Sequence, residues 1–118
     1  MMTFQYWNER IETLPRAELV AYQVQRLKNV VDIALRTPFY RQRLAEAGIH
    51  GAEDLKTLAD LRRIPFTTKR DLRDGFPYGF LSVPKDEVVR LHASSGTTGT
   101  PTTIYFNKED IARWTDFV

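Results

Sequence analysis

The sequence predicts an α/β chain: a helical first part, then a strand–loop–strand–helix unit. Three observations carry this. Apolar residues recur every three or four positions up to about residue 64, the period of a helix with one buried face. Gly75, Pro77, Gly79 and Pro84 then break that pattern, since both residue types punctuate regular structure. Beyond them, two runs containing β-branched and aromatic residues flank a segment of serine, threonine and glycine, the pattern of two strands and their connecting loop. The division falls at residue 66, with a helical segment over 1–66 and the start of an α/β domain over 67–118.

Each element has a local reason. Pro15 and Arg16 can open the first long helix, because proline is tolerated at its start. Leu19, Val20, Val24, Leu27, Val31, Ala34 and Leu35 form its apolar stripe, with Arg26, Lys28, Asp32 and Arg36 on the other face. Thr37-Pro38 ends that helix and starts another, Thr37 as N-cap and Pro38 as first helical residue. Phe39, Tyr40, Leu44 and Ala47 continue it to Gly48, which can take the backbone conformation that stops a helix. Residues 52–63 hold one short helix or two around Leu55, Leu58 and Leu61, closed by Ile64-Pro65. Thr67 or Thr68 can cap a short turn over 69–74. The simplest reading of these stripes is core. Phe76, Tyr78 and Phe80 are expected to pack their loop down rather than to form a ligand platform. Val88, Val89 and Leu91 suggest the first strand, and Thr102 to Phe106 the second. Asn107 can then cap a helix running from Lys108 to Val118, answered by Asp110 in the manner of a capping box. Ile111, Trp114, Thr115 and Val118 lie on one side of it.

Composition removes several function classes. A length of 118 residues suits one ordinary domain. Seventeen basic residues against 15 acidic ones leave a net charge of only +2, unlike a nucleic-acid binder with its concentrated basic face. The absence of cysteine rules out disulfides and thiolate metal sites. His50 and His92 are far apart without ligand-like spacing, so both read as surface or packing residues and no metal site is expected. No apolar run approaches the roughly 20 residues of a membrane span. The start, Met1 to Trp7, lacks the basic and long apolar parts of a signal peptide. A cytoplasmic location, with neither membrane nor nucleic acid as partner, is the expectation.

The informative segment is Ser94-Ser95-Gly96-Thr97-Thr98-Gly99-Thr100-Pro101-Thr102. It carries no bulky side chain to fill a core. Its glycines free the backbone to bend, and its N–H groups and hydroxyls can converge on one anion. Composition alone leaves it open between a mobile turn and a phosphate cradle. A Walker A loop would need a lysine after its second glycine and a following helix. Here Thr100 follows Gly99 and Pro101 leads into a strand. The dinucleotide fingerprint fails on glycine spacing and on the same following strand. Gly96-Thr97-Thr98-Gly99 satisfies the G-x-x-G of KH domains, but without basic flanks and between strands rather than helices.

Ser94 to Thr102 resembles the phosphate loop of the adenylate-forming enzymes, [ST]-[ST]-G-T-T-G-x-P-[TK]. Ser95, Gly96, Thr97, Thr98, Gly99 and Pro101 all fit that form. Tyr6-Trp7-Asn8 with Glu12, Thr37-Pro38-Phe39-Tyr40, Leu61 to Asp71 and Val88 to Pro101 extend the likeness. Together they are similar to the N-terminal region of the phenylacetate–coenzyme A ligases, and the similarity covers essentially the whole chain. One position departs: many members carry lysine where this chain has Thr100.

The resemblance implies an acid–thiol ligase that uses ATP, Mg²⁺ and coenzyme A on small-molecule substrates. It also implies a helical N-terminal segment followed by the opening of an adenylate-forming large domain. Ser94, Ser95, Gly96, Thr97, Thr98, Gly99 and Thr100 are the residues it points to for the ATP phosphates. It implies no catalytic residue in this stretch, since the remaining active-site residues of such enzymes lie downstream of the loop. The expectation is therefore a fragment, inactive alone, that dimerises or self-associates. The alternative is a non-catalytic dimerisation or partner-binding module with a vestigial loop.

Overall fold

The computed structural model describes residues 3, 5–95 and 99–118. Among these residues five helices run in the order α1 (Glu9–Glu12), α2 (Arg16–Ala34), α3 (Pro38–Glu46), α4 (Lys69–Asp74) and α5 (Lys108–Thr115). Two 3₁₀ turns, Ala52–Asp54 and Leu58–Arg63, lie between α3 and α4, and a third, Lys85–Glu87, precedes the strands. The strands β1 (Val88–Ser94) and β2 (Thr102–Asn107) pair antiparallel as a hairpin just before α5.

The expected caps are in place. The Thr37 hydroxyl accepts the Tyr40 N–H at 3.1 Å and donates to the Ala34 carbonyl at 2.8 Å. One side chain thus closes the end of α2 and opens α3. At the far end of α3, Gly48 takes φ +72°. The Ile49 N–H reaches the Leu44 carbonyl at 2.8 Å and the Gly48 N–H the Ala45 carbonyl at 2.9 Å. This is the Schellman arrangement, and its usual apolar contact is supplied by Leu44 and Ile49, both buried. Thr68, rather than Thr67, caps α4: its hydroxyl accepts the Asp71 N–H while Asp71 accepts the Thr68 N–H at 2.7 Å.

Some expectations change. Residues 52–63 form two 3₁₀ turns instead of α-helix. Asp54 accepts the N–H groups of His50 and Gly51, and Asp60 those of Lys56 and Thr57. Each carboxylate satisfies the first free donors of its turn. Arg63 links both turns to α3 by donating to the carbonyls of Asp54 and Gly48. The short helix α1 has no apolar period to reveal it; Asn8 accepts the Ile11 N–H and donates its own N–H to Glu12. Of the loop aromatics only Phe80 packs as expected, stacked on Phe39 at 4.3 Å, while Phe76 and Tyr78 stay exposed. Helix α5 stops at Thr115, short of the chain end.

The core is small. Among the described residues Val31, Leu44, Ile49 and Leu55 are its fully buried apolar side chains, flanked by Leu27, Ala34, Leu35, Tyr40, Ala47 and Ile64. It lies where the C-terminal half of α2 meets α3 and the first 3₁₀ turn. The stripe of α2 is therefore only partly core: Leu19, Val20 and Val24 are half-buried. The hairpin is tied to the helical part through the 75–80 segment, where Gly79 accepts the Phe39 N–H at 3.0 Å. The ion pair Arg43–Asp71, at 3.0 Å, joins α3 to α4.

Candidate phosphate loop at the hairpin tip

The site is built on the hairpin. Register pairs Arg90 with Phe106, Leu91 with Tyr105, His92 with Ile104, Ala93 with Thr103 and Ser94 with Thr102. Directly paired residues share a face, so Ser94 and Thr102 lie on the face that carries His92, Ile104, Arg90 and Phe106. Leu91, Ala93, Thr103 and Tyr105 occupy the other. Asn107 ends β2 and caps α5: its side-chain oxygen accepts the Asp110 N–H at 2.9 Å, and Asp110 accepts the Asn107 N–H at 3.0 Å. The helix thus turns back immediately, and Trp114 meets His92 and Phe106.

Of the residues singled out for phosphate, Ser94 closes β1, and Ser95, Gly99 and Thr100 follow it exposed at the open end. Gly96, Thr97 and Thr98 lie outside the described residues. Gly99 takes φ +96°, while a Cβ built there would meet nothing within 4 Å. Its requirement is conformational, since L side chains rarely adopt that angle even where space is open. Among the described residues, no hydrogen bond occupies the hydroxyls of Ser94, Ser95 or Thr100. Among the described residues the Thr102 hydroxyl, at the root of β2, is buried without a partner.

The electrostatics match a neutral donor set. No Lys, Arg, Asp or Glu stands between Arg90 and Lys108. An anion here would be held by hydroxyls and backbone N–H groups, the donor type that cradles phosphate. On the opposite face the Tyr105 hydroxyl is pushed above its ordinary value by burial and, less, by Tyr78 beside it. The two rings lie 6.0 Å apart, and the Lys85 ammonium sits 3.8 Å above Tyr78. Among the described residues no group of three acidic, His or Cys side chains could hold a metal ion. No helix among them is long and apolar enough to cross a membrane.

The family likeness extends across this framework. The chain is 48% identical over 113 residues to a phenylacetate-coenzyme A ligase of Thermus thermophilus, which covers 95% of the chain. It is 49% identical over 109 residues to that of Pseudomonas putida, and 47% identical over 109 residues to that of Escherichia coli, each covering 92%. Over nearly its whole length the chain is similar to phenylacetate-coenzyme A ligases. It spans 25% of the length of these curated relatives. No family model matches it. Among solved structures it is similar to a crystal structure of 2-hydroxyisobutyryl-CoA ligase in complex with 2-HIB-AMP and CoA in the thioesterification state. There the TM-score is 0.79 at 38% identity, covering 89% of this chain and 23% of that one. A second structure of that ligase, in the postadenylation state with 2-HIB-AMP, gives 0.76 at 35% identity. The mixed helix-and-hairpin arrangement of the chain thus matches about a quarter of a CoA ligase structure.

Two features of the site were not legible in advance. The unpartnered Thr102 hydroxyl depends on what packs around β2. The contact of His92 with two aromatic rings depends on the return of α5. Neither has a signal in local sequence.

Proposed function

We propose that residues 94–100 bind the phosphates of ATP in a ligase that joins a carboxylic acid, an aryl-acetate, to coenzyme A. The observation that carries this is the near-complete coverage of the chain at 47–49% identity by phenylacetate-coenzyme A ligases, together with a loop of neutral donors at the hairpin tip. In the first step a carboxylate oxygen attacks the α-phosphorus of ATP, and the bond to pyrophosphate breaks. In the second, the thiol sulfur of coenzyme A attacks the acyl carbon of the adenylate, the bond to AMP breaks, and the thiol proton passes to solvent. The acyl-AMP and CoA in the complex of the 2-hydroxyisobutyryl-CoA ligase support that order.

Ser94, Ser95 and Thr100 offer hydroxyls, and the backbone around Gly99 can approach a phosphate closely. Together with Gly96, Thr97 and Thr98 they would stabilise the charge that develops on departing pyrophosphate. Mg²⁺, when bound, would share that charge from the phosphate oxygens. With Thr100 in place of lysine, this loop works without a point charge of its own. Acyl, adenine and coenzyme A contacts are assigned to polypeptide outside this stretch, so the stretch alone is expected to bind but not to turn over. We place the enzyme in the cytoplasm, where its nucleotide substrate is found.

Calorimetric titration with Mg-ATP and Mg-pyrophosphate tests the loop. Dissociation constants on the order of millimolar are expected, because ordering a loop lowers net affinity. A Gly96→Val, Gly99→Val double variant should abolish the signal. No wild-type binding at millimolar ligand would leave the second reading, an association module with a vestigial loop. That reading draws on the exposed apolar side chains of α2 and the hairpin, Val30, Ile33, Leu91 and Ile104.

A further inference from the structure

We propose that His92 is a positioning residue for the phosphate loop, tethering its first root to α5 through a cluster of three rings; this rests on the reading of 94–102 as a phosphate loop. The His92 ring lies 4.9 Å from Phe106 and 5.5 Å from Trp114, and Phe106 stacks on Trp114 at 5.8 Å. One ring comes from β1, one from β2 and one from α5. The two roots of the loop differ in support. On the β2 side Pro101, Thr102 and Thr103 are half-buried. On the β1 side only Val88 is half-buried, and Val89 to Ser94 are exposed. Among the described residues His92 is the one member of β1 in contact with aromatic rings, two residues and about 7 Å of strand before Ser94.

Phosphate binding needs donors from both roots to converge, Ser94 and Ser95 from one and Gly99 and Thr100 from the other. A β1 end held only by its ladder hydrogen bonds would have to be ordered by the ligand. The ring cluster orders it beforehand, which is the preorganisation that lowers the cost of binding. Aromatic contacts of this kind correspond to a loss of between about three- and tenfold in affinity when removed.

The test uses a Trp7→Phe background, leaving Trp114 as the sole tryptophan. Mg-pyrophosphate is titrated while heat and Trp114 emission are recorded together. Binding should shift the emission. His92→Ala should weaken binding by about three- to tenfold and uncouple the emission from it. His92→Phe should restore both, because the ring contact suffices. Unchanged affinity in His92→Ala would overturn the assignment, as would failure of His92→Phe to rescue at an unchanged far-ultraviolet circular dichroism spectrum. Binding that is lost in Gly99→Val but indifferent to His92→Ala overturns the role of His92 alone. A background protein that binds nothing overturns the loop reading with it.

Discussion

Thr37 is the residue on which the helical part turns. It is a buried polar side chain, 3% exposed, with both its donor and its acceptor used. Thr37→Ala removes the cap of α3 and leaves the Ala34 carbonyl without its hydroxyl partner. The expected loss is about 1–2 kcal/mol, seen as a lower urea midpoint, while Thr37→Ser should recover most of it. Leu44 stands beside it in a different role. It is 1% exposed in a core of four fully buried apolar residues. Leu44→Ala should cost about 2–5 kcal/mol and leave too little core to hold α2 against α3. Loss of the cooperative thermal transition would show this. At the loop, Gly99→Ala fits the open space but not the positive φ. Weaker Mg-pyrophosphate binding with unchanged thermal stability is therefore expected.

Several elements begin with the same device, a carboxylate placed three residues after its cap. Asp54, Asp60 and Asp71 each accept N–H groups at the start of a turn or helix. Those N–H donors hold each carboxyl below its ordinary value of 3.8, the backbone bonds from His50, Thr57 and Thr68 being the largest causes respectively. The sign follows directly. The native state releases these protons more readily than the unfolded chain, so their contribution is complete above pH 3.8 and is lost as pH falls through the lowered native values. Helix signal followed during acid titration should therefore fall below that point. Replacing all three aspartates with asparagine should flatten the fall; an unaltered acid profile would count against this origin. These elements were largely legible because caps act within three or four residues: Thr37 and Asn107 are recognisable beside their partners, and Thr68 as one of two neighbouring candidates. The 3₁₀ form of 52–63 was not, since the choice between a tight and a full turn rests on how Arg63 reaches back to Gly48 and Asp54.

At the scale of the whole molecule, surface is the dominant fact. The exposed area is 9221 Å², where a compact monomer of this mass would expose about 6600 Å². The radius of gyration is 17.2 Å, against about 13.5 Å for a compact chain of this length. The difference is paralleled by uncovered apolar side chains: Val30 and Ile33 on α2, Leu91 and Ile104 on the hairpin, Trp114 on α5, and Phe66 at 92% exposure. The excess, about 2600 Å², is larger than a standard protein–protein interface. The isolated chain should therefore self-associate, and light scattering after size exclusion should give a mass above 13.7 kDa that rises with concentration. A strict monomer at high concentration would refute this. Leu91→Lys with Ile104→Lys should shift the mass downward if the hairpin faces carry the contact. The main caps, the helical periods, the two strands and the hydroxyl-rich loop between them are written in the local sequence, because each is decided by neighbours a few residues apart. Which apolar stripes are core, which rings meet β1, and how much surface stays bare follow from the packing of the folded chain. Those depend on segments distant in the chain meeting, or failing to meet, in space.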